Sequence, residues 1–161
     1  MADDKPSAYL DALRLLARRE LTEKQVRERL VDREHDREEI DRAIEDLIHT
    51  KALDDARVAA AYVRTALKIK GRGRLRIQRE LQEMGVEREV AAQALAEAFG
   101  DVDERALIAA AIKKKLHGKP KIASAAEYAR VYQFLMRQGF SPGGVSAALR
   151  GYRRGTPDST D

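Results

Sequence analysis

The sequence predicts an all-α protein, three tandem tri-helical repeats forming an elongated, curved array. Three observations lead there. Segments about fifty residues apart resemble one another, and helix-capping signals recur at matching places in each. The 4 prolines and 10 glycines stand in short clusters that leave long stretches free to propagate helix. The apolar fraction of 43% is mostly Ala and Leu, aromatics are 5% and Trp is absent, a mix that suits closely packed helices better than a β-sandwich.

The repeat is clearest between Leu81–Leu95 (LQEMGVEREVAAQAL) and Leu135–Leu149 (LMRQGFSPGGVSAAL). Leu81/Leu135, Gly85/Gly139, Val86/Phe140, Val90/Val145 and Ala94/Leu149 correspond, with one extra residue after the second glycine. A third copy starts at Leu30, where Ile40 and Ile44 repeat the apolar pair and Arg33-Glu34 replaces the turn glycine. The expected domains are residues 1–52, acidic; 53–100, with a basic turn; and 101–154, basic. The polar end, residues 155–161 (GTPDSTD), is expected to be disordered.

Each repeat resolves into three helical signals. In the first, Pro6-Ser7 opens a helix to about Ala17 with Leu10, Leu13 and Leu16 on one face. Thr22 with Gln25 forms a capping box for the second helix, and Asp36 with Glu39 starts the third. In the second repeat a helix begins at Asp54-Asp55 and breaks at Gly71-Arg72-Gly73; two more follow, from about residue 74 and about residue 87. In the third, Asp101 and Asp103 start a helix that Gly118-Lys119-Pro120 breaks. Ser124 with Glu127 opens the next, Gly139 ends it, and Ser141-Pro142 starts the last.

No catalytic constellation stands out, so the protein is expected not to be an enzyme and to use neither metal nor cofactor. Cysteine is absent, which removes disulfides, thiolate zinc sites and a thiol nucleophile together. His35, His49 and His117 lack a second histidine three or four residues away to make a metal-binding face. Gly71-Arg72-Gly73 has no third glycine and no Gly-Lys-Ser/Thr, so it reads as a helix stop rather than a phosphate loop. The apolar runs 58–63 and 106–112 are too short to span a bilayer, and the expected location is the cytoplasm, with no membrane partner.

The net charge of +4 is unevenly spread: −4 over residues 1–50, +3 over 51–100 and +5 over 101–161. The stretch Arg64 to Arg79, RTALKIKGRGRLRIQR, carries Arg64, Lys68, Lys70, Arg72, Arg74, Arg76 and Arg79 without one acidic residue. A second acid-free stretch, Arg105 to Ala126, carries Lys113, Lys114, Lys115, Lys119 and Lys121. Both lie where the first helix of a repeat ends. Such clusters can hold phosphates or pair with carboxylates of a protein partner, while cations near a helix C-terminus also complement its dipole. Leu81–Leu95 has the outline of a helix-turn-helix, but Glu87, Glu89 and Glu97 on its second helix oppose reading of base edges. The aromatics do not interleave with the basic runs as a base-stacking platform would; Tyr62, Phe99, Phe134 and Phe140 are expected in the core.

Leu53 to Gly85, LDDARVAAAYVRTALKIKGRGRLRIQRELQEMG, resembles the central signature of the RecX family: Leu-x-Asp, a tyrosine and an arginine on one helix, a glycine break, a basic turn, and a Glu-Leu pair ending at glycine. ALRLLARRELTEKQVRERL at 12–30 and FLMRQGF at 134–140 resemble the family's opening segment and final repeat. The likeness departs at Val58, where an aromatic is expected, and at Met84, where a lysine is usual. The resemblance implies a regulatory protein that binds RecA, lodges along the groove of its filament on single-stranded DNA, and suppresses ATPase, strand exchange and co-protease activity in recombinational DNA repair and the SOS response. By position it puts the filament contact on Arg64 and the turn Lys68–Arg79, with Lys113–Lys121 second. A stand-alone, non-specific DNA-binding protein is the alternative reading of the same basic runs, and a monomer is expected.

Overall fold

A computed structural model describes residues 5–153, and the tail expected to be disordered lies outside them. Among the described residues there are nine helices and no strand. These are α1 (Ala8–Arg18), α2 (Glu23–Asp32), α3 (Arg37–His49), α4 (Asp55–Lys68), α5 (Arg74–Glu83), α6 (Arg88–Phe99), α7 (Glu104–Lys115), α8 (Ala125–Gln138) and α9 (Pro142–Arg153). The chain gathers into two compact units. Of the described residues, one holds 5–62 together with Glu80–Ala94; the other holds Val63–Arg79 together with 95–153. The first and third repeats thus each fall within one unit, whereas residues of the middle repeat divide between them.

Most starts follow their caps. Ser7 accepts from Leu10 N–H, Thr22 and Gln25 close a reciprocal capping box, and Ser124 accepts from Glu127 N–H. Asp54 Oδ1 accepts from Ala56 and Arg57 N–H at 3.0 and 3.2 Å. Asp36 departs from expectation, for it stands at the N-cap of α3 without a side-chain bond. Its partner Glu39 instead reaches back to α1, accepting from Ala8 N–H at 2.8 Å. One carboxylate thereby caps a different helix and ties α3 to α1.

Cross-capping recurs twice more. Asp55 at the start of α4 accepts from Glu23 N–H at the start of α2, and Glu104 of α7 accepts from Ser141 N–H and Oγ–H ahead of α9, both at 2.8 Å. Each supplies an acceptor to an otherwise unpaired helix-end amide and sets negative charge at a positive helix end.

The second helix of every repeat ends in one turn. Glu34, Gly85 and Gly139 have φ of 62, 86 and 92°. The following amides of His35, Val86 and Phe140 donate to Leu30, Leu81 and Leu135 respectively, the long bond of a Schellman closure. Leu30, Leu81 and Leu135 are each fully buried. The missing glycine of the first repeat therefore does not change the turn; Glu34 takes the left-handed position.

In the first repeat α1, α2 and α3 pack on one another around Ala8, Ala12, Val26, Leu30, Ile40, Ile44 and Leu47. The buried line of α1 runs through Ala8, Asp11 and Ala12, while Leu13 and Leu16 are half-buried and Leu10 is 49% exposed. The expected leucine face is thus rotated, because small residues let α1 approach closely and Asp11 has a buried partner, described below. In the third repeat α7, α8 and α9 enclose Ile108, Ile112, Val131, Leu135, Phe140, Val145 and Leu149. Of the four aromatics expected in the core, Phe140 is fully buried and Tyr62, Phe99 and Phe134 are half-buried.

Candidate functional site

The acid-free stretch forms the end of α4, a turn, and the start of α5. Lys68 closes α4, and its left-handed exit falls on Gly71, φ 62°, with Arg72 N–H donating back to Ala66 O at 2.9 Å. The turn then runs into the turn that follows α8. Gly73 N–H donates to Gln138 O at 2.7 Å, Leu75 N–H donates to Gly139 O at 3.1 Å, and Arg76 Nη1 donates to Gln138 Oε1 at 3.1 Å. The backbones touch here. A Cβ on Gly73 would stand 2.5 Å from Gly139 C and O, and one on Gly139 would overlap Arg76. Two glycines are required because neither backbone could approach the other past a side chain.

This clamp sorts the basic residues. Arg64, Lys68, Lys70, Arg74 and Arg79 are exposed, whereas Arg72 and Arg76 are half-buried. Burial, then the nearby charges of Arg72 and Arg79, holds the Arg76 pKa below its usual value. Arg76 is therefore chiefly a structural member of the clamp. Arg74 spreads over the face of Phe99, its guanidinium carbon 6.0 Å from the ring centroid. That approach puts an aromatic against the basic turn, which the linear spacing of the aromatics did not suggest.

The second cluster is partly engaged within its own repeat. Lys115 Nζ lies 4.9 Å from the Phe134 ring centroid and Lys119 Nζ pairs with Glu127 at 2.9 Å. That pairing and the Ala123 amide hold the Glu127 carboxyl below its usual pKa. Lys113, Lys114 and Lys121 are exposed.

Two concavities were not foreseen. A cleft of about 310 Å³ lies among Leu75, Phe99, Val102, Leu107, Glu104, Ser141 and the clamp glycines, with Arg74 at its edge. A larger, open one of about 630 Å³ lies in the other unit, lined by both charge signs including Glu23, Lys24, Arg27, Lys51, Asp54 and Asp55. Burial raises the Asp55 carboxyl pKa, and its position on the Glu23 amide gives it a capping task there.

Sequence reading also missed a buried polar cluster in the first repeat. His35 Nε2 sits 2.7 Å from Asp11 Oδ2, with side chains only 2 and 7% exposed, and Arg33 Nη1 lies 3.1 Å from Asp11 Oδ1. The His35 hydrogen bond outweighs burial and, with Arg33 and Arg14, holds the Asp11 carboxyl below its usual pKa. Because an ionised Asp11 only accepts, His35 Nε2 carries the proton between them. The cluster replaces Val86 and Phe140 of the other repeats with a satisfied polar pair. Among the described residues no group of histidines and carboxylates could hold a metal ion, and no helix is long and apolar enough to cross a membrane.

Models of the first, second and third three-helix domains of RecX match residues 8–47, 54–95 and 103–149. The chain belongs to the RecX family. The Regulatory protein RecX of Halorhodospira halophila is 37% identical over 137 residues, covering 85% of this chain and 83% of that one. That of Pelodictyon phaeoclathratiforme is 30% identical over 148 residues, covering 92 and 90%. That of Geobacillus kaustophilus is 35% identical over 149 residues, and there the chain spans only 55% of its relative. In fold the chain is similar to the crystal structure of RecX from Lactobacillus salivarius, with a TM-score of 0.68 at 19% identity over 91% of this chain and 95% of that one. A second RecX crystal structure matches with a TM-score of 0.71 at 22% identity, over 89% of this chain and 70% of that one. Three tri-helical domains in tandem and membership of a family of regulatory proteins are thus in place. The middle domain match contains the whole basic turn.

Proposed function

We propose that this chain is a negative modulator of the RecA recombinase that binds RecA and the groove of its filament on single-stranded DNA, lowering ATPase, strand exchange and co-protease activity. The observation that carries the reading is the basic turn: five exposed cations, Arg64, Lys68, Lys70, Arg74 and Arg79, on a backbone pinned by the Gly73–Gly139 clamp, within a RecX domain. A pre-ordered cationic surface loses little freedom on meeting a polyanion, so its charge is available for binding. Lys113, Lys114 and Lys121 form the secondary contact. The protein works by binding alone, as a monomer, without catalysis or cofactor.

The test is RecA ATPase on single-stranded DNA titrated with the protein and with a variant in which Lys68, Lys70 and Arg74 are all Ala. Inhibition by the natural chain at or below equimolar amounts is expected, with about tenfold more of the variant needed for the same effect. Unchanged ATPase at equimolar natural protein would sink the proposal. The alternative, direct non-specific DNA binding, draws on the same exposed cations. It calls for affinity without RecA that falls with salt at a log–log slope of about −0.7 per single-strand phosphate contacted.

A further inference from the structure

We infer that the cleft beside the basic turn is a docking site for one aliphatic or aromatic side chain borne on an acidic segment of a protein partner. The inference rests on the modulator reading above and says which component of the filament this part of the surface meets.

The walls of the cleft are Leu75, Phe99, Val102 and Leu107, and its volume of about 310 Å³ stands at the small end of the range that ligand pockets occupy. Leu75 is 48% exposed at its mouth, an unusual place for a leucine on the face of so charged a segment. The polar groups of the floor are engaged with one another: Glu104 accepts twice from Ser141, and Leu75 N–H is bonded to Gly139 O. Such a lining suits an apolar group and has little to offer the edges of a nucleobase, which need donors and acceptors. The rim has the opposite character, with Arg74 at the edge and no acidic residue anywhere from Arg64 to Arg79. An apolar hole beside a cationic rim matches an apolar anchor flanked by carboxylates, the arrangement in which a few buried side chains dominate a protein interface and charges steer the encounter. The Gly73–Gly139 clamp keeps the mouth in one shape, since the Leu75 amide and the Arg76 side chain are both bonded to the turn after α8.

Two variants of the full chain test this, each leaving every charge in place: Val102→Phe, which fills the cleft, and Leu75→Ser, which removes its exposed wall. Thermal unfolding followed by circular dichroism checks that both fold. Affinity is then measured for DNA-free RecA and, separately, for a single-stranded oligonucleotide. The expected result is RecA affinity weakened at least tenfold by both variants, with oligonucleotide affinity within twofold of the natural chain. RecA affinity within twofold for both folded variants overturns the docking site and leaves the modulator reading standing. Selective loss of oligonucleotide affinity also overturns it, by making the occupant a base. A natural chain that binds no RecA at all overturns the modulator reading, and the docking site with it.

Discussion

The turns after α2 and after α8 share their backbone and differ in everything that fills it. Both place one residue in the left-handed region, Glu34 and Gly139, and close the same long hydrogen bond to a buried leucine. After α8 the next side chain is the fully buried Phe140, and the bare Gly139 backbone receives Gly73 and Arg76 from the basic turn. After α2 the next side chain is His35, buried against Asp11, and the left-handed position carries a full side chain. Helix-end hydrogen bonding can thus be kept while the neighbouring contact changes from apolar packing to a polar pair. Of these two turns, the one that needs its glycine is the one that another backbone approaches.

The sharpest way to break the comparison is Gly139→Ala. The new Cβ meets a left-handed φ of 92° and overlaps Arg76, so a loss of roughly 3 kcal/mol or more is expected. It is read as a fall of about 10 °C in the thermal midpoint, and an unchanged midpoint would refute the clamp.

Asp11→Ala attacks the other turn by leaving the His35 N–H buried without its acceptor. A loss of about 2 kcal/mol in urea unfolding at neutral pH is expected. Adding His35→Val should return most of it, because removing both partners leaves no polar group stranded. Equal losses in the single and double variants would mean the pair is not coupled.

The pair should also make the first turn acid-sensitive. The folded Asp11 pKa is depressed, so its contribution is fully present above the unfolded carboxylate value, near 3.8, and is lost as pH falls through the lower folded value. Urea midpoints at neutral pH and below about pH 4 should therefore show a smaller acid loss in Asp11→Asn than in the natural chain. Glu39, lowered chiefly by the Ala8 amide, titrates in the same sense in both proteins. The smallest effect is Glu34→Gly. Relief of left-handed strain slightly exceeds the added chain entropy, for a gain of roughly 0.5 kcal/mol in the same urea assay.

Much of the fold was legible along the chain. Leu81/Leu135 and Gly85/Gly139 marked equivalent turns, and Thr22, Asp54 and Ser124 marked helix starts, because caps and turns are short-range chemistry within four or five residues. The basic turn was equally plain as a run of residues. Its division into exposed cations and the structural Arg76 was not, since that depends on Gln138, 62 residues further on. The same limit hid the Arg74–Phe99 approach, the cleft beside it, and the Asp11–His35 pair. A leucine stripe on α1 outlined a face but misplaced its centre by ignoring a buried carboxylate.

By itself the sequence determined the nine helices among the described residues, their grouping into three repeats, the family, and where positive charge is concentrated. The family came from the resemblance of Leu53 to Gly85 to its central signature; the rest follow from periodicity, capping chemistry and composition, all of which act locally or add up residue by residue. Tertiary structure alone decided which cations face outward, which turn needs its glycine, and which carboxylate caps a distant helix. Those outcomes depend on what another segment brings within a few ångströms, and chain spacing carries no measure of that distance.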